Sequence, residues 1–231
     1  MSDVGVLAFI AAEAREFAGL LARAGGVARL DAGVEFGRQF TLGGRAAVAV
    51  ANGPGPVLAG QALDVLKGTF ELDAIISIGY CGALDSALEA GDVVVGTSVN
   101  ETRALEPHIG RAHAQGAIVS ADRVVNTAEE KQALRSTGAI AVEMEAAALA
   151  GRAHAWNVPF YCVRVVTDTA AESLPLDFNL CRTSEGRFSR SRIVLAALRR
   201  PGVLFPELMK LERRCRRASD RLGDFIADCR F

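Results

Sequence analysis

The sequence is poor in lysine, odd in cysteine and free of long apolar runs, and each absence removes a class of protein. Only Lys67, Lys131 and Lys210 are lysines among 26 basic residues, a bias that reads as genome composition and not as chemistry. The five cysteines, Cys81, Cys162, Cys181, Cys215 and Cys229, show no C-x-x-C spacing. A disulfide framework is therefore not expected, and a reducing, cytoplasmic compartment is. No apolar stretch approaches the roughly 20 residues needed to span a bilayer. The apolar start from Val4 to Ala12 lacks a basic region before it and is interrupted by Glu13 and Arg15, so it reads as a first core strand and not as a signal peptide. The formal net charge of -1 gives no global field for nucleic acid. His108, His113 and the cysteines lack metal-ligand spacing. Gly79-x-x-Gly82 is too short for a dinucleotide fingerprint, and Cys81 has no histidine partner that would make it a nucleophile.

What is present suits a soluble enzyme: 231 residues, 50% hydrophobic and 23% charged. The chain reads as one domain over 1–231, with a basic helical extension at about 199–231. Strands are expected at Val4–Ile10, Phe36–Leu42, Ala46–Ala51, Ala74–Gly79, Asp92–Val95, Ala117–Ser120 and Pro159–Val166. Helices are expected at Glu13–Ala24, from Pro54 or Pro56 to about Leu66, and at Ala128–Arg135, Glu143–Ala155, Arg192–Leu198 and Leu204–Phe225. Two glycine segments, Asn52-Gly53-Pro54-Gly55-Pro56 and Gly79-Tyr80-Cys81-Gly82-Ala83, read as loops, and Glu101–Gln115 as a polar surface segment. The alternation gives an α/β fold with a mostly parallel central sheet.

Three carboxylate groupings stand out. Asp168 ends the apolar strand Val163-Arg164-Val165-Val166-Thr167-Asp168, where a helix N-cap and a catalyst beyond the carboxyl end of a strand are both open readings. Glu143, Met144 and Glu145 lie in Ala141-Val142-Glu143-Met144-Glu145-Ala146-Ala147-Ala148. Glutamates favour a helix N-terminus, and a carboxylate beside a thioether also suits a sugar, accepting hydroxyl hydrogen bonds while sulfur packs on the ring. Glu13 follows the first strand in Ala11-Ala12-Glu13-Ala14.

In this order the motifs resemble the nucleoside phosphorylase and nucleosidase superfamily, whose members cut the bond between a base and a ribose. The resemblance runs from Val4 to about Glu172. It implies a three-layer fold, with a mixed, mostly parallel central sheet flanked by helices, and at least a homodimer. It implies that Asp168 protonates the departing purine, for which it must carry a proton near neutral pH, with Thr167 in place of the usual serine. It places Glu145 on the ribose hydroxyls and Met144 under the sugar, beside Glu143. It gives Glu13 the attacking water, a division of labour like that of glycoside hydrolysis. Gly53 then borders the reaction centre, and Cys81, Gly82 and Val124 border the base. No metal or organic cofactor is implied, although inorganic phosphate is an alternative co-substrate.

The branch is read from the departures. Ser77 and Tyr80 stand where bacterial hexameric purine phosphorylases hold phosphate with a serine and an arginine, and Arg15 and Arg38 are the substitutes the sequence offers. Pro54 and Pro56 remove two amide donors from the first glycine loop, which favours water. Methylthioadenosine nucleosidases carry a longer segment than Asn100–Gly116, so a more open 5′ side is expected. Ser120-Ala121-Asp122-Arg123-Val124-Val125-Asn126-Thr127-Ala128-Glu129-Glu130-Lys131 and Leu198-Arg199-Arg200-Pro201-Gly202 resemble the hopanoid-associated phosphorylases, which act on adenosylhopane. A methylthioadenosine/adenosylhomocysteine nucleosidase and a non-catalytic nucleoside-binding protein are the alternatives. The basic stretch Leu204–Arg221 reads either as a solvated helix face or as a contact for an anionic membrane.

Overall fold

The computed structural model describes residues 5–231; Val4, expected to open the first strand, lies outside them. Strand β1 (Val6–Ala11) is buried along its whole length. Its side chains alternate, as a strand requires. Val6, Ala8 and Ile10 face one core layer, and Leu7, Phe9 and Ala11 face the other. Burial on both faces explains why the run is continuously apolar.

After β1 come a 3₁₀ turn (Ala14–Phe17) and the short α1 (Ala18–Leu21), less helix than the sequence predicts. Then follow β2 (Gly25–Arg29), β3 (Phe36–Leu42), β4 (Arg45–Ala51) and α2 (Pro56–Thr69), with Pro56 at the helix start. Strand β2 was not expected, because its exposed Gly-Gly-Val-Ala-Arg sequence carries no alternation. Strand β5 (Leu72–Ala83) runs straight through the segment expected to be the second glycine loop. Gly79 sits there at φ +148°, and a Cβ on it would collide with Glu16 Oε2, so the glycine serves close approach and not a turn.

The second half contains β6 (Val93–Val99), β7 (Thr102–Arg103), β8 (Ala114–Ser120), α3 (Ala128–Arg135), β9 (Ala141–Glu143), α4 (Ala146–Ala155) and β10 (Phe160–Asp168). Glu143 thus ends a strand, and the helix expected from it begins three residues later. The chain closes with α5 (Arg190–Ala197) and α6 (Pro201–Asp228). Pro206 lies inside α6 without ending it.

Strands β4, β1, β5 and β10 pair in parallel as the centre of one mixed sheet. The order β10-β6-β8-β9-β5, with a further β10–β5 pairing, closes half of the sheet into a ring. Helices α2 and α4 cover one face through Ala59, Leu63, Leu66, Leu149 and Ala153. The C-terminal half of α6 covers the other through Ala218, Leu222, Phe225 and Ile226. No helix among the described residues is long and apolar enough to cross a membrane.

Candidate active site

The carboxyl ends of β1, β4, β5, β9 and β10 open into a cavity of about 960 Å³. Glu13, Gly53, Cys81, Gly82, Val124, Glu143, Met144, Glu145, Thr167, Asp168 and Arg15 all line it, gathered from across the sequence. Arg38 does not. Its guanidinium lies 4.5 Å over the Phe36 ring and donates to the Gly37 carbonyl, so its reading as a phosphate ligand is corrected. Arg187 and Arg190 line the cavity instead. Their loop and helix have no periodic link to the β1 region, so no local pattern signals them.

Asp168 is 8% exposed. Its Oδ2 accepts from Lys131 Nζ at 2.5 Å, and its Oδ1 accepts from Thr167 Oγ1 at 2.8 Å. Lys131, on α3, is itself 1% exposed and also donates to the carbonyls of Thr169 and Glu172, both at 2.8 Å. Sequence reading missed this lysine. Its rarity in the chain and its place in a helix that the pattern did identify were the available signals. Gly82 opposes Asp168 across the β5–β10 pair, and a Cβ there would come within 2.9 Å of Asp168 Oδ2. The absence of a side chain therefore leaves the carboxyl room.

Glu143 works inside the wall. Its Oε2 accepts from Glu145 N and Ala146 N at 2.9 Å each, capping α4, and from Arg164 Nη2 at 2.6 Å. Arg164 also donates to Ser77 Oγ at 2.7 Å. This fixes the buried arginine, while its Nε and Nη1 and the Glu143 Oε1 find no protein partner among the described residues. Glu145 Oε1 accepts from Gly55 N at 2.7 Å. Burial, and then the charge of Glu143, push Glu145 up to about 7.

Two glutamates follow β1. Glu13 pairs with Arg15 at 2.5 Å. Glu16, which sequence reading passed over, is the buried one, and its Oε1 accepts from Glu13 N at 3.2 Å. Burial first, then the charges of Glu145 and Glu13, push Glu16 up to about 8. Burial also pushes the Cys81 thiol up, which leaves it unreactive as a nucleophile.

Backbone donors for an incoming anion are few. Pro54 and Pro56 have no N–H, Gly53 N donates to the Ala12 carbonyl at 3.0 Å, and Gly55 N is held by Glu145. Of the cavity's arginines, Arg15 is held by Glu13 and Glu212, Arg123 by Glu130 and Arg187 by Glu35, whereas Arg190 has no ion-pair partner among the described residues.

The phosphorylase superfamily model matches residues 3–110 and 100–199. A 5′-methylthioadenosine/S-adenosylhomocysteine nucleosidase of Staphylococcus aureus is 30% identical over 167 residues, covering 58% of this chain and 73% of that protein. The Neisseria meningitidis nucleosidase of the same description, solved with methylthio-immucillin-A, superposes with a TM-score of 0.71 at 23% identity, covering 97% of this chain and 98% of that one. The futalosine hydrolase of Helicobacter pylori superposes at 0.69 with 17% identity, covering 96% and 95%. At such identities the two superpositions establish the α/β fold. With the family match spanning most of the chain, the protein belongs to the phosphorylase superfamily.

Proposed function

We propose that this chain hydrolyses the N-glycosidic bond of an adenine nucleoside. Water attacks C1′, the bond to the base breaks, Asp168 gives the base a proton, and a glutamate after β1 takes the proton that water loses. The free oxygen of Glu145 accepts from the ribose hydroxyls, with Met144 under the sugar. No metal or organic cofactor takes part. One observation carries the reading: a buried acid and a cluster of glutamates meet in a single cavity, while the amide donors that could hold phosphate are already engaged. The nucleosidase relatives support it.

Among the described residues Lys131 and Thr167 donate to Asp168, one to each carboxyl oxygen, and so fix the direction in which the carboxyl faces the base. Lys131 is therefore a positioning residue for Asp168. On the water side, Glu13 is the residue the family pattern favours, and Glu16 is the one enclosed beside Gly79 and Arg164.

Phe188, Ile193 and Leu211 are among the residues that line the cavity. Their apolar side chains suit a bulky, lipophilic 5′ substituent, as in adenosylhopane. The test is chromatographic detection of adenine from adenosine, methylthioadenosine and adenosylhopane, with and without phosphate, beside Asp168→Asn. Release without phosphate supports hydrolysis, and release that requires phosphate makes the chain a phosphorylase. Tight nucleoside binding with no release from any substrate would leave a binding protein.

A further inference from the structure

Ten large hydrophobic side chains are exposed among the described residues, and seven of them fall within 180–209. Leu180 precedes α5, which contributes Val194, Leu195 and the adjoining Leu198. The first turns of α6 add Val203, Phe205 and Met209, the last being 60% exposed. Most residues in this half of α6 are exposed, whereas its C-terminal half is packed on the sheet. A second cleft of about 440 Å³ runs beneath the elbow between the helices, with Leu176, Leu195 and Leu204 in its walls and Arg192, Arg199 and Arg200 around it.

The charge around this patch is mostly positive, with Asp177 the one acid among the cleft's lining residues. Arg190, Arg199, Arg200, Arg213 and Arg217 make no ion pair among the described residues. The nearby acids Glu185, Glu207 and Glu212 each already lie beside a cation. We propose that the α5–α6 elbow is a docking surface for an anionic lipid bilayer, with the apolar side chains entering the interface and the unpaired arginines meeting phosphate headgroups. Charge selects this occupant over a second copy of the chain. A two-fold contact would set the patch against itself and bring unpaired arginines face to face, whereas an anionic leaflet attracts each of them.

The position deepens the reading of the active site, on which this part of the inference rests. Arg190, Ile193 and Leu211 belong to the same two helices and line the nucleoside cavity. The elbow thus contributes both to the cavity lining and to the bilayer contact, so part of the cavity would sit close to the lipid interface. A nucleoside whose 5′ substituent is a membrane lipid could then enter without crossing water.

The test is co-sedimentation of the full chain with vesicles of neutral phosphatidylcholine alone, or with phosphatidylglycerol added. The variants are Leu195→Glu, Met209→Glu and the pair Arg199→Glu/Arg200→Glu, none of which lines the nucleoside cavity. Wild type should pellet with anionic vesicles and not with neutral ones, and high salt should release it. Each arginine charge lost lowers partitioning about fivefold, the factor that about 1 kcal/mol per basic residue represents, so the Arg199→Glu/Arg200→Glu reversal should lower it by at least about 25-fold. Circular dichroism confirms that each variant is folded, and adenine release from soluble adenosine is followed in parallel. Wild type remaining in the supernatant at low salt, or variants pelleting as wild type does, overturns the proposal. So does a dimer, seen by light scattering, that Leu195→Glu splits. Loss of vesicle binding with base release intact separates this surface from the catalytic reading. Vesicle binding without base release would uphold the surface and overturn only that reading.

Discussion

Replacing Lys131 with methionine isolates the pair at the base of the site. The lysine side chain is 1% exposed and donates three hydrogen bonds, to Asp168 and to two backbone carbonyls. Methionine keeps most of the volume and removes the charge, leaving a buried carboxylate without its cation. Breaking such a pair from one side costs about 3–5 kcal/mol. For a domain of this size each kcal/mol moves Tm by about 2–4 °C, so Tm should fall by about 6–20 °C in calorimetry. Adding Asp168→Asn removes the orphaned charge, so the double variant should recover part of the loss and the double-mutant cycle should show favourable coupling. Base release is the second readout. If Lys131 positions the Asp168 carboxyl, kcat falls about 100-fold while KM changes little. A Tm loss below about 3 °C would refute the structural reasoning. Unchanged kcat in a folded variant would refute the positioning role.

The remaining predictions concern neighbouring groups. Asp168→Asn should lower base release by about 10²–10⁴-fold, measured by chromatography. Glu13→Gln and Glu16→Gln, assayed side by side, identify the water-side base, since the one whose loss abolishes turnover holds that role. Glu16 is raised from 4.5 to about 8, so the folded state retains a proton that the unfolded chain gives up near 4.5. Its stabilising contribution is complete below that lower value and is lost as pH rises through about 8, an upper bound of about 5 kcal/mol. Urea melts across this range should show wild type weakening toward alkali and Glu16→Gln following a flatter curve. Gly223→Ala would drive a methyl into the backbone of Gly19, where α6 meets α1, and should destabilise by about 1–3 kcal/mol in the same melts.

What the sequence made legible was what local pattern controls. The apolar run of β1 and the bounds of α3 follow from side-chain spacing, and the order of Glu13, Glu145 and Asp168 carried the cavity. The rest depended on tertiary pairing. Gly79 and Gly82 looked like turn residues because nothing local reveals that Glu16 and Asp168 occupy the space beside them. Glu143 is a helix-entry acid, as its neighbours suggest, but its pairing with Arg164 on another strand had no local signature. Lys131 and Glu16 sit on helical turns whose buried faces are set by distant segments, so their burial had no local signature. Arg38 had the right charge for an anion, but β3 directs it onto Phe36.

The ring formed when β10 pairs with β5 has a consequence for folding. Asp168 reaches Gly82 only after a register shift past Val166 in that pairing. Strands distant in sequence must therefore meet before the acid has its setting, and contacts of that kind form slowly because chain closure opposes them. Catalytic competence should arrive with the last cooperative step of refolding, behind the recovery of helical signal. A nascent chain that has not yet emerged beyond β10 would be unable to act on nucleosides, however much of β1 to β5 had already assembled.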